Sequence, residues 1–159
     1  MIYRKEILSP LGKIILASDG SSLTGLWFEG QKHLPDMTAL TPAPELGVFS
    51  QTEQWLNRYF AGEKPDPKEL PLSPSGSEFQ KRVWDLLLQI PYGQLTTYGT
   101  LAKSLNCRSA QAVGGAVSRN PISIIIPCHR VVGQNKTLTG YAGGLNRKQW
   151  LLELEKANL

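Results

Sequence analysis

Four prolines fall between Lys64 and Gly76 of this 159-residue chain. Proline fixes its own φ and has no backbone donor, so neither a helix interior nor a central strand can run through that stretch. It reads as a linker between two dissimilar pieces, residues 1–75 and 76–159. In the first piece, residues 2–8, 13–18 and 23–28 read as strands, with Ser9-Pro10-Leu11-Gly12 and Asp19-Gly20-Ser21-Ser22 as the turns between them. That pattern predicts a small antiparallel meander. Pro35, Pro42 and Pro44 keep residues 31–44 irregular. Residues 45–60, with Phe49, Leu56 and Phe60 on one face and Trp55 and Tyr59 beside it, predict an amphipathic helix stopped at Ala61-Gly62. Residues 1–75 suggest no chemistry, and their aromatic side chains are expected in the core.

After the linker the apolar period becomes helical. Ser77 caps a helix over residues 78–89, on which Phe79, Val83, Leu86, Leu87 and Ile90 form one stripe, and Pro91-Tyr92-Gly93 ends it. Thr97 caps a short helix over 98–105 and Ser109 another over 110–118. The turn Asn106-Cys107-Arg108 joins them as a helix-turn-helix. The second of these helices, Gln111-Ala112-Val113-Gly114-Gly115-Ala116-Val117, has almost no bulk. Glycine costs about 1 kcal/mol in a helix interior relative to alanine, so Gly114-Gly115 needs a compensating reason. Tight helix packing is one; close approach of a grooved partner such as DNA is the other. A Gly-rich loop over 133–144 and a final helix over 145–154, or slightly beyond, complete the chain.

Ile124-Ile125-Ile126 suits a short buried strand that ends at Pro127. Cys128 and His129 follow at its rim, and a fixed charge at Arg130 should lower the thiol pKa from about 8.5. A structural cysteine and a satisfied histidine would use the same residue types. Cys107 and Cys128 make no disulfide framework. No apolar run spans a membrane, and no signal-peptide pattern opens the chain. A reduced, cytoplasmic protein is expected. With only His33 and His129 besides the two cysteines, no zinc-site spacing appears, and no metal is expected. Residues 1–75 carry seven Lys/Arg against nine Asp/Glu, a net of −2, while residues 76–159 carry ten against four, a net of +6. A polyanionic partner for the second piece would account for that division.

The chain resembles the O6-alkylguanine-DNA alkyltransferases. The motifs that carry the resemblance are Ala112-Val113-Gly114-Gly115-Ala116, Asn120-Pro121, Ile126-Pro127-Cys128-His129-Arg130-Val131-Val132, Tyr141-Ala142-Gly143-Gly144 and Trp150-Leu151-Leu152. The resemblance implies a small α/β domain like ribonuclease H with a supporting role. A mainly α-helical, winged-helix-like domain that binds DNA and accepts the alkyl group would follow it. The implied activity is single-turnover transfer of the alkyl group from O6-alkylguanine, less readily O4-alkylthymine, in duplex DNA to Cys128, with no cofactor. It also implies that His129 is the base, acting through a bridging water, with Glu155 behind its imidazole. From the residues alone, Asn120 before Pro121 favours extended backbone and can brace the chain around Cys128, although a solvated turn asparagine reads the same in sequence; the resemblance implies that Tyr98 donates to the departing guanine.

By the same resemblance, Val117 walls the flipped base, the Ala142 amide donates to O6, and the Cys128 and Val131 carbonyls accept from the base. Gln111, Ala112, Gly114, Gly115, Arg119 and Arg130 are expected to meet DNA from its minor groove, and the protein is expected to be a monomer. Many members carry an arginine where this chain has Gln111. Gln111 brings hydrogen-bonding capacity without charge, so DNA affinity or base flipping is where a departure is expected, with Arg108 nearby. Three other readings fit less well. Non-catalytic alkyltransferase-like proteins lack the acceptor cysteine. A transcriptional regulator needs more polar groups on its recognition helix. In papain-like hydrolases the histidine lies far from the cysteine.

Overall fold

The computed structural model describes residues 1–159. Strands β1 (Tyr3–Ser9), β2 (Gly12–Ser18) and β3 (Leu23–Phe28) form the expected meander, and a two-residue β4 (Thr41–Pro42) joins β1 in parallel. The sheet order is β3-β2-β1-β4. Gly12, at φ 100°, makes the tight β1–β2 turn possible. On one face, Ile14, Leu16, Leu26 and Phe28 meet helix α1 (Gly47–Phe60), which buries Val48, Phe49, Thr52, Trp55, Leu56 and Tyr59. On the other, Ile15, Ala17 and Trp27 are covered by Leu34, Met37 and Leu40 from the irregular segment, so both faces of β2 are dry.

The Pro-rich stretch is not a free linker. The Leu23 amide donates to the Pro71 carbonyl (2.7 Å), and the Ser73 amide donates to the Leu23 carbonyl (2.9 Å). Trp55 Nε1 donates to the Asp66 carbonyl at 2.9 Å. Four prolines leave few donors, and these bonds use the acceptors that remain to strap the segment along β3.

Helix α2 (Glu78–Leu87) starts with the predicted cap: Ser77 Oγ accepts from the Gln80 amide, and Gln80 Oε1 accepts from the Ser77 amide. Its buried face is Val83, Trp84 and Leu87. Trp84 lies off the stripe read in the sequence, yet its Nε1 donates to the Ala116 carbonyl at 2.9 Å and ties α2 to the second helix of the helix-turn-helix. That unit is α3 (Tyr98–Ser104) and α4 (Ala110–Ser118), capped by Thr97 and Ser109 as expected. The short strands β5 (Thr96–Thr97) and β6 (Val131–Val132) pair in parallel beside it, and α5 (Leu145–Ala157) closes the chain. No helix is long and apolar enough to cross a membrane.

The expected strand at Ile124–Ile126 is not formed. Only Ile122 continues the sheet, bridged to Leu26, and the chain then turns back with the Ile126 amide donating to the Ile122 carbonyl at 3.1 Å. Ile124 sits at φ 69°, a costly conformation for a β-branched residue, at about 1–3 kcal/mol. All three isoleucines are buried, so their composition reports burial rather than extension. Through this turn the two pieces share one core, a single cluster that runs from Ile14 on β2 to Leu151 on α5.

Candidate active site

Cys128 opens a one-turn 3-10 helix, Cys128–Arg130, immediately after that turn. Asn120 holds the turn as predicted: its Nδ2 donates to the Ile126 carbonyl (2.8 Å), and its Oδ1 accepts from the Ile122 amide (3.0 Å). Cys128 is 5% exposed, and it faces a cavity of about 620 Å³. Tyr98, Val117 and Ala142 line that cavity, as do Gln111, Gly114 and Gly115 along α4. The size suits one planar small-molecule-sized group. The Ala142 carbonyl accepts from the Lys32 amide at 3.1 Å, while the Ala142 N–H bonds no protein atom. Gly143 lets this wall close on the sheet, because a Cβ there would stand 2.7 Å from the Phe28 ring.

Behind the thiol, His129 Nε2 meets Glu155 Oε2 at 2.6 Å, and His129 is fully buried. A carboxylate can only accept, so the Nε2 proton points at Glu155 and Nδ1 carries the free lone pair. His129 Nδ1 is buried and bonds no protein group. Burial holds the His129 pKa below its ordinary 6.5 despite Glu155, which leaves the ring neutral near pH 7. Burial would raise the Glu155 pKa, but hydrogen bonds from His129 and Arg130 and the Arg130 charge outweigh it and hold the carboxyl well below its usual range.

Arg130 departs from the expectation twice. It neither lies free for DNA nor sits against the thiol. Its Nε and Nη2 donate to the two oxygens of Glu155 (2.8 and 3.0 Å), its Nη1 donates to the Ile90 carbonyl (2.6 Å), and the residue is 7% exposed. Successive residues of a 3-10 turn point about 120° apart, so a neighbour in sequence is not a neighbour in space. The resting thiol is accordingly not activated. Burial pushes Cys128 up to about 11, opposed by the Asn120 side chain and the Lys148 charge.

The remaining sequence-predicted residues divide by position. Ala112 and Arg119 are exposed on and just after α4, and Val131 is buried in β6 beside the site. At Gly115 a Cβ would meet nothing within 4 Å, and at Gly114 only the Tyr98 ring at 3.7 Å. Internal packing at the Cβ position therefore does not demand either glycine.

Three residues were missed. Lys148, fully buried on α5, donates from Nζ to the Thr139 and Gly140 carbonyls (2.6 and 3.1 Å) and so pins the loop that walls the cavity. Burial brings its pKa down to about 8. Lys148, Leu151 and Glu155 are the buried residues of α5, so two charges at core spacing on one helix were the available signal. Tyr59 and Lys32 correct the expectation that residues 1–75 hold no site residue. Tyr59 OH donates to Glu155 Oε2 at 2.6 Å, and Lys32 lines the cavity. Nothing in their local sequence marked them.

The fold and site together define a class: two-piece proteins in which an α/β half braces a helix-turn-helix half that holds one buried cysteine against a His–Glu pair. The chain belongs to the 6-O-methylguanine DNA methyltransferase family, whose ribonuclease-like domain model matches residues 2–74 and whose DNA-binding domain model matches residues 78–157. It is 46% identical over 156 residues to a methylated-DNA–protein-cysteine methyltransferase of Haemophilus influenzae, covering 98% of this chain and 87% of that protein. The same-named protein of Mycobacterium tuberculosis is 48% identical over 158 residues, covering 99% and 94%. The crystal structure of the O6-methylguanine methyltransferase of M. tuberculosis superposes with a TM-score of 0.89 at 47% identity, over 100% of this chain and 95% of that one. A structure of the M. tuberculosis protein in complex with DNA matches equally well, with a TM-score of 0.89 at 46% identity over 98% and 94%.

Proposed function

We propose that this protein repairs duplex DNA by taking the alkyl group of O6-alkylguanine, and less readily of O4-alkylthymine, onto Cys128 Sγ, once per molecule. In this reading residues 76–159 bind DNA and accept the alkyl group, residues 1–75 support them, and the protein acts as a monomer in the reduced cytoplasm. The observation that carries it is the cavity: Cys128 faces it from one side and the small-residue helix α4 borders its mouth, with the His129–Glu155 pair behind the thiol. The lesion is stacked inside the duplex, so the nucleotide must rotate into the cavity at a cost of a few kcal/mol. Gly114 and Gly115 let α4 approach the minor groove, about 6 Å wide, through which the flipped base leaves the stack.

The chemistry follows from the site. The thiol proton passes to His129 Nδ1 through a bridging water, because Nδ1 bonds no protein group, and Glu155 stabilises the imidazolium. Sγ then attacks the sp³ carbon, the S–C bond forms, and the C–O6 bond breaks. The guanine leaves with negative charge delocalised over its ring, where the Ala142 amide donates to O6 and the Tyr98 hydroxyl donates to the base. The Cys128 and Val131 carbonyls accept from the base, and Val117 packs its face. The product is a thioether, which water does not cleave, so no second turnover occurs and no cofactor is needed. Burial holds the Cys128 thiol above its ordinary range, so it rests protonated and needs a base to take its proton.

The test is intact-mass measurement after incubation with duplex DNA containing O6-methylguanine. One methyl mass per protein, localised to the Cys128 peptide, is expected. Continued turnover with unmodified Cys128 refutes the mechanism. A second measurement tests α4. Gly115→Leu has open space to occupy, so its melting temperature should hold or rise, because leucine is the better helix former. A bulky side chain against the groove should weaken duplex binding by about 1–3 kcal/mol, roughly ten- to hundredfold. Unchanged affinity would place the DNA elsewhere.

A further inference from the structure

The Glu155 carboxylate is shared. Oε2 takes His129 Nε2 (2.6 Å), Tyr59 OH (2.6 Å) and Arg130 Nη2 (3.0 Å), while Oε1 takes Arg130 Nε (2.8 Å) and the Gly93 amide (3.0 Å). Four of these donors come from residues 93–130. Tyr59 alone arrives from the N-terminal half, on the last turn of α1. Its ring is fixed independently of the hydroxyl: it stacks on Trp55 (5.7 Å, 7°) and meets Phe60 (5.6 Å) and Tyr92 (6.1 Å) edge to face. Tyr59 is 1% exposed, and its hydroxyl lies 3.5 Å from His129 Nε2, so phenol and imidazole crowd the same oxygen.

We infer that Tyr59 is a positioning residue for the alkyl-acceptor site: by donating to Glu155 Oε2 it limits how strongly that carboxylate draws on the His129 proton, and so sets the basicity of His129 Nδ1 from the N-terminal half. The inference deepens the proposed function and rests on its assignment of His129 as the base. A carboxylate oxygen that already receives a phenol proton has less charge to offer a second donor. Removing the phenol concentrates that charge on the imidazole and favours imidazolium. Burial, and then the Glu155 charge, hold the Tyr59 phenol well above its ordinary pKa, so it stays a donor throughout the working range. The other charged or titratable groups that act on this pair are Arg130 on the 3-10 turn, Lys148 on α5, Tyr92 after α2, and Tyr141 at the cavity. A Tyr59→Phe exchange changes none of these residues and keeps the ring that packs on Trp55, Phe60 and Tyr92.

The experiment follows the imidazole resonances of Tyr59→Phe by NMR across pH, with single-turnover methyl transfer measured in parallel. The chain has two histidines, and exposed His33 serves as an internal reference. Tyr59→Phe should raise the His129 imidazolium population at a given pH about three- to tenfold, a shift of about 0.5–1 pH unit, and carry the acid limb of the transfer rate up with it. Val48→Ala, which loosens the same helix three turns away and keeps the hydroxyl, controls for stability and should leave the His129 titration in place. An unmoved His129 titration in Tyr59→Phe overturns the inference, as does an equal shift in Val48→Ala. A moved titration in a protein that transfers no methyl group supports Tyr59 and refutes the function it was attached to.

Discussion

Cys128→Ser should abolish methyl transfer and leave duplex binding in place. Attack on an sp³ carbon needs a soft, polarisable nucleophile, and a hydroxyl is far harder to deprotonate than a thiol already held near 11. Serine is slightly smaller than cysteine, so at a site 5% exposed the exchange costs little packing. In the proposed reading duplex DNA is met along α4, so binding should not depend on Sγ. Intact mass after incubation with O6-methylguanine duplex reads the first expectation, and equilibrium binding to the same duplex reads the second. The second cysteine provides the comparison. Cys107 is half-buried in the turn of the helix-turn-helix, with its Sγ hydrogen directed at the Ser109 carbonyl (3.5 Å). Cys107→Ser should accept one methyl group as the parent does. A methyl group on Cys128→Ser, or its loss from Cys107→Ser, moves the acceptor to the other thiol.

What could be read in the sequence was local. The Ser77, Thr97 and Ser109 caps and α1 depend on neighbours within about four residues, the meander on short turns between adjacent strands, and these elements formed where expected. The Asn120 brace also spans few residues, from 120 to 126. The misreadings share one physical origin. β-Branched isoleucines at 124–126 mark burial, but the chain pairs with β3 only through the Ile122–Leu26 bridge and then turns. Arg130 was assigned by its place next to Cys128, although a 3-10 turn sends adjacent side chains apart. Tyr59 could not be found because its partner lies 96 residues further on, and a tyrosine on an apolar helix face looks like core until its hydroxyl has an acceptor. Lys148 and Glu155 were open to a different question. Two ionisable residues on the core face of α5 contradict the amphipathic pattern, and such contradictions tend to mark functional sites.

Arg130 gives the sharpest separation between the two readings of one residue. As a DNA contact, its loss would leave the melting temperature unchanged and reduce the salt dependence of binding by about one phosphate contact. As the partner of Glu155, its loss strands a carboxylate that is 1% exposed, and it also frees the Ile90 carbonyl. Breaking a buried ion pair from one side costs about 3–5 kcal/mol, a large share of a domain's total of about 5–15 kcal/mol. Arg130→Met keeps the aliphatic bulk and should lower the melting temperature by about 10 °C. The pH dependence has a definite sign. Glu155 is held below its ordinary 4.5, so its contribution is present above that pH and is lost as pH falls through the depressed folded value. Without Arg130 that folded value rises, and acid unfolding begins at higher pH. Adding Glu155→Gln to Arg130→Met removes the stranded charge and should restore part of the stability without restoring methyl transfer, because His129 then lacks an anionic partner. A double variant no more stable than Arg130→Met would mean that packing against Tyr92, 5.6 Å from the guanidinium, outweighs the ion pair.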